Sequence, residues 1–99
     1  MGFFSWFDSK VAAAFGKAMA ELIVRELPVG NTIKERKFAI KAEKTLIRVD
    51  RELVAFKKKN TLNTYQKAKL GNAFLWTLKE SGVEVGYADE LTEWLTTRL

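Results

Sequence analysis

Two carboxylates and a row of cations are the residues whose types and spacing could do chemistry, and they share one stretch, Thr32 to Lys59. The positions three and four away from Asp50 are Leu46, Ile47, Leu53 and Val54; those around Glu43 are Ala39, Ile40, Leu46 and Ile47. Neither acid has a cation at salt-bridge spacing on its own segment. A carboxylate held among apolar neighbours keeps its proton to higher pH and can serve as a general acid. Seven residues, however, set the two about 10.5 Å apart along a helix, too far to act on one bond. The expected role of Glu43 and Asp50 is therefore a buried polar seam that fixes helix register. Their partners would come from elsewhere, from Lys10, Lys17 and Arg25 or from Lys67 and Lys69.

The cations form a ribbon. Lys34, Lys37, Lys41, Lys44, Arg48, Arg51 and Lys58 follow gaps of three and four, broken only by Ala55. Like charges at this spacing repel by roughly 0.2–0.5 kcal/mol per pair, so an anion that neutralises them is expected. Nucleic-acid phosphates, anionic lipid headgroups and the acidic end of this chain or of a second copy all qualify. The ribbon carries no Asn or Gln, so nucleic acid would be held by phosphate contacts without base readout.

Other chemistry is excluded by absence. There is no histidine and no cysteine, which removes His/Cys zinc sites, disulfides, thiolate nucleophiles and every triad with a histidine base. No GxxxxGK[ST], EF-hand or metalloprotease spacing occurs. No catalytic residue, metal site or cofactor is expected, and the reading is non-enzymatic.

The elements that must position these residues follow from periodicity. Residues 32–59 contain neither Gly nor Pro, and helix formers dominate. Ala39, Ala42, Leu46, Val49, Leu53 and Phe56 make one apolar column; Ile33, Ile40, Ile47 and Val54 make a second, with Glu43 and Asp50 between them. Two columns predict a central helix touching two neighbours. Thr32 with Glu35 forms a capping box, Asn31 competes as the cap, and the helix would be roughly 42 Å long.

Ser5 or Asp8 is expected to cap a first helix running to about Leu27, with Val11, Phe15, Ala18 and Leu22 buried and Met19 and Ile23 widening that face. Its small residues, Ala12, Ala13, Ala14, Gly16, Ala18 and Ala20, permit close approach by a neighbour. Pro28 and Gly30 turn the chain. Thr61 or Asn63 caps a third helix that ends at Gly82, with Gly71 inside it where another helix comes close. A last helix from about Tyr87 to Arg98 buries Tyr87, Leu91, Trp94 and Leu95.

Ninety-nine residues with 47% hydrophobic content make one domain over 1–99 with a real core. The net charge of +5 is uneven. Residues 34–69 hold twelve Lys/Arg against four Asp/Glu, a balance of +8, whereas residues 80–99 hold Arg98 against five acids, a balance of −4. At the start, Phe3, Phe4, Trp6 and Phe7 either close the end of the core or form an interfacial membrane anchor; the core role is preferred. No signal peptide or spanning segment is read, which gives the expectation of a cytoplasmic protein.

The sequence thus predicts an all-α, four-helix antiparallel bundle with a long second helix at about 32–59. Its expected function is a protein interaction or assembly module, self-associating through the overhang of that helix. Polyanion binding by the ribbon is the alternative. Peripheral membrane association through the N-terminal aromatics is a third.

Overall fold

The computed structural model describes the backbone of residues 2–26 and 35–99, and the side chains of residues 9–26 and 42–99. Four helices account for it: α1 (Gly2–Glu26), α2 (Glu35–Lys59), α3 (Thr64–Glu80) and α4 (Val85–Thr97). No strand occurs among the described residues. The expected caps at Asn31 and Thr32, and the turn around Pro28, lie outside the described residues. α1 starts at Gly2, ahead of Ser5 and Asp8, so α1 and α2 are each 25 residues long.

Two helices, α1 and α3, each touch two others, whereas α2 touches one. α1 packs against α3 and α2, while α4 packs against α3. The sequence reading gave the central position to α2, and the side chains of α1 explain the change. A Cβ added at Gly16 would lie 2.2 Å from the Leu70 carbonyl oxygen, so only glycine lets the two backbones meet there. Ala12 and Ala20 are fully buried one turn to either side. The buried face of α1 is thus rotated toward its small residues: Met19, Leu22 and Ile23 are buried as expected, but Val11 and Ala18 are exposed.

The core inside this seam is Ile23, Leu70, Phe74 and Leu78, joined by Leu95 from α4 and by Val49 and Leu53 from α2. Along the other flank of α1, Phe15 stacks on Phe56 with ring centroids 4.1 Å apart. Near the far end of α1, Glu26 pairs with Arg48. Gly71 meets Thr96 of α4, where an added Cβ would lie 2.9 Å from the Thr96 methyl.

The helix ends are locally determined. Asn63 accepts from the Gln66 amide and the Gln66 side chain accepts from the Asn63 amide, a reciprocal capping box. Gly82 closes α3 in the left-handed region, at φ +89°, and the Val83 amide reaches back to the Leu78 carbonyl at 3.0 Å. α4 begins two residues before Tyr87 because the Glu84 carboxylate accepts from the amides of Gly86 and Tyr87. These two bonds hold the Glu84 carboxyl below its usual range. No helix among the described residues is long and apolar enough to cross a membrane.

Candidate functional site

The face of α2 turned away from the core is where the predicted site residues gather. Its first apolar column is in the core, with Val49 and Leu53 fully buried and Ala42, Leu46 and Phe56 packed against them. The second column is not covered. Ile47 is 51% exposed and Val54 47% exposed. Ile33 lies outside the described residues, and Ile40 lies on α2 with its side chain outside them.

The ribbon divides in three. Lys34 lies outside the described residues, and Lys37 and Lys41 sit on α2 with side chains outside them. Arg48 is taken by Glu26 of α1. Lys44, Arg51 and Lys58 are exposed and form no ion pair with a described residue. With the aliphatics they make a row, Lys44, Ile47, Arg51, Val54, Lys58, in steps of three and four along one face of the helix. Apolar groups and free cations alternate on it.

Beside this row runs an open groove between α2 and α4, about 500 Å³ in volume and lined by Ala42, Glu43, Leu46, Ile47, Asp50, Trp94 and Arg98. Glu43 is exposed and Asp50 half-exposed, so the acidic seam is open to solvent rather than buried. The reason lies in the packing: α2 leans on α1, and the α4 side of α2 stays uncovered. Asp50 finds its partner on α4, where Arg98 Nε lies 3.3 Å from its carboxylate. Of the cations expected to serve the seam, Lys17, Arg25, Lys67 and Lys69 form no ion pair with Glu43 or Asp50. The Arg98 guanidinium also rests on the Trp94 ring at 4.5 Å, and the Arg98 carbonyl accepts from Lys57 Nζ at 2.7 Å. Arg98 thus ties the end of α4 to α2 through two contacts, to Asp50 and Lys57, while Trp94 braces its guanidinium. Sequence reasoning missed it, although one signal was present: it is the single cation in the acidic end of the chain.

The α4 rim of the groove is acidic. Glu90 stands one turn before Trp94, with Glu93 beside it, and both are exposed without an ion pair to a described residue. Tyr87 lies two turns before Trp94; burial pushes its hydroxyl pKa up, and the Glu90 charge adds to the shift. The groove itself is lined by two acids, Glu43 and Asp50, with Arg98 as the cation among the lining residues.

A second exposed patch lies on α3, where Tyr65 (55% exposed) and Trp76 (54% exposed) share a face with Lys69 and Lys79. Here each lysine folds over a ring, Lys69 over Tyr65 and Lys79 over Trp76, both at 5.5 Å. Such contacts let the aliphatic stem cover the ring while the ammonium stays in water. The patch supplies its own cover, as the α2 row does not.

Phe3, Phe4, Trp6 and Phe7 belong to the first turns of α1, with side chains outside the described residues. Further along α1, Val11 lines a cavity of about 280 Å³ with Phe56, Lys59, Leu62 and Gln66, at the junction of α2 and α3. Among the described residues no group of three or more His, Cys, Asp and Glu is placed to hold a metal ion. No protein-family model matches the chain, and no curated protein or solved structure matches it.

Proposed function

We propose that the chain is a non-enzymatic interaction module that docks a protein partner on the outer face of α2 and the adjoining α2/α4 groove. The observation that carries this reading is the pair of half-exposed aliphatics, Ile47 and Val54, set between unpaired cations at the edge of an open groove. Isolated surface aliphatics need no explanation, but a row continuous with a groove containing Leu46 and Trp94 marks an interface. The fold suits the task. We read the helices as an up-and-down antiparallel bundle, because Phe15 meets Phe56 while Glu26, eleven residues on, meets Arg48, eight residues back. In that arrangement α1, α3 and α4 make a rigid platform and α2 is displayed on it.

A photo-crosslinking residue tests the reading, placed at position 47 in one variant and at position 76 in another. In extract, the position-47 variant is expected to give protein adducts and the position-76 variant to give none. Absence of any adduct at 47 would end the proposal.

A second reading, sequence-independent polyanion binding, is favoured by the same unpaired Lys44, Arg51 and Lys58. It requires affinity for nucleic acid that falls steeply with salt, with a slope set by the number of phosphates contacted.

A further inference from the structure

We infer that the partner seated on this surface is a second copy of the same chain, an inference that rests on the interaction-module reading and names its partner. The charges point there. The acidic end of the chain does not neutralise its own basic helix: Glu80, Asp89, Glu90 and Glu93 form no ion pair with a described residue, and neither do Lys44, Arg51 and Lys58. The bridges that do join α2 and α4 use the minority charge of each region. The α4 cation Arg98 pairs with the α2 acid Asp50, and Lys57 meets a carbonyl rather than a carboxylate. The imbalance of +8 over residues 34–69 and −4 over residues 80–99 is therefore left standing within one copy.

Two copies resolve it. The row of one copy presents Ile47 and Val54 to the apolar part of the other's groove, Ala42, Leu46 and Trp94. Lys44 and Arg51 then approach Glu43, which lines that groove, and Glu90 and Glu93, which neighbour its Trp94 along α4. Ile47 belongs to both the row and the groove lining, so the surface is self-complementary and a two-fold axis closes the contact without leaving a free end. Apolar contact at the centre and opposite charges at the rim give a dimer whose association is driven by burial and steered by charge.

Sedimentation velocity on the full chain, with charge-swapped variants, tests this. The wild type is expected to dimerise, and to dissociate at least tenfold more readily as salt rises from about 0.1 M to about 1 M and the screening length falls from about 10 Å to about 3 Å. The pair K44E/R51E and the pair E90K/E93K are each expected to be monomeric. Mixed in equal amounts, they are expected to restore a heterodimer at least tenfold tighter than either forms alone. All the changed residues are exposed, and circular dichroism of each variant confirms its fold before mixing. A wild type that stays monomeric at millimolar concentration would overturn the second-copy inference, as would folded variants that fail to rescue each other. The crosslinking arm separates the two levels. An adduct at position 47 to a different protein would remove the second copy and leave the interaction module standing; no adduct removes both.

Discussion

The two flanks of the helical fold are built to opposite tolerances. Where α1 meets α3, Gly16 lies against the Leu70 carbonyl so closely that a methyl group cannot be admitted. Where α2 faces α4, the helices stand apart around a groove of about 500 Å³, bridged at one end by Arg98. Close packing against backbone resists substitution because nothing there can move aside, whereas an open groove bridged by one side chain leaves room for change. The tight flank therefore holds the fold, and the open flank is free to be an interface.

That contrast can be broken by mutation, beginning where the effect is largest. Phe74→Ala, at a fully buried site on the tight flank, is expected to lower unfolding free energy by about 3–5 kcal/mol. Ile47→Ala, with half its side chain in water, is expected to lose less than about 1 kcal/mol. Urea denaturation at low protein concentration measures both. Equal losses would mean that α2 is as deeply built into the core as α3.

The two buried glycines sharpen the same point. Gly16→Ala drives a methyl into backbone and is expected to destabilise by about 1–3 kcal/mol, as overpacking does where neighbours cannot yield. Gly71→Ala meets only the methyl of Thr96, the end of an exposed side chain. The gain of about 1 kcal/mol in helix propensity offsets that contact, so its expected effect is near zero. Thermal melts of the two variants should therefore separate clearly. Coincident melting temperatures would remove the special status of the Gly16 contact.

How much of this was legible in the sequence differs between the flanks for physical reasons. Asn63 and Gly82 were readable because caps are local: a side chain bonding its own neighbours, and a backbone angle that glycine adopts without strain. The fully buried face of α1 was misplaced because Ala12, Gly16 and Ala20 carry almost no apolar signal, although their smallness is what draws α3 in. On α2 the two columns were read correctly as apolar, but periodicity reports the character of a face and not whether anything covers it. Ile47 and Val54 were assigned a neighbour that the described residues do not supply. The seam residues Glu43 and Asp50 followed them into solvent. Arg98 escaped because its bond to Asp50 spans about half of the chain, and no spacing rule reaches that far.

On the open flank, Arg98→Met keeps the stem and removes the charge. Its side chain and that of Asp50 are both close to half-exposed, so the lost pair is expected to lower stability by at most about 1 kcal/mol. The larger consequence is mechanical: the α4 end loses its tie to Asp50, and amide exchange over residues 94–99 should quicken while exchange at Phe74 and Leu78 stays slow. Uniform acceleration across all four helices would mean that Arg98 supports the whole core rather than one edge of it.

The smallest effect lies at the other end of α4, and its sign is fixed by the Glu84 cap. Hydrogen bonds from the Gly86 amide first, and the Tyr87 amide second, lower the folded-state pKa of Glu84 from its ordinary 4.5. A carboxyl with a depressed folded pKa contributes stability that is fully present above its unfolded pKa and is lost as pH falls through the folded value. The wild type should therefore lose part of the α4 cap only below about pH 4.5, and Glu84→Ala should lack that part of the acid dependence while starting less stable at neutral pH. The cap is fully exposed, so the change should be confined to fraying of the first turn, read as faster amide exchange at Gly86 and Tyr87. Because this turn leads directly to Glu90, which the proposed dimer contact uses, a frayed cap should also weaken association near neutral pH more than Gly71→Ala does. If it leaves association untouched, the α4 rim takes no part in the contact, and the docking surface contracts to α2 alone.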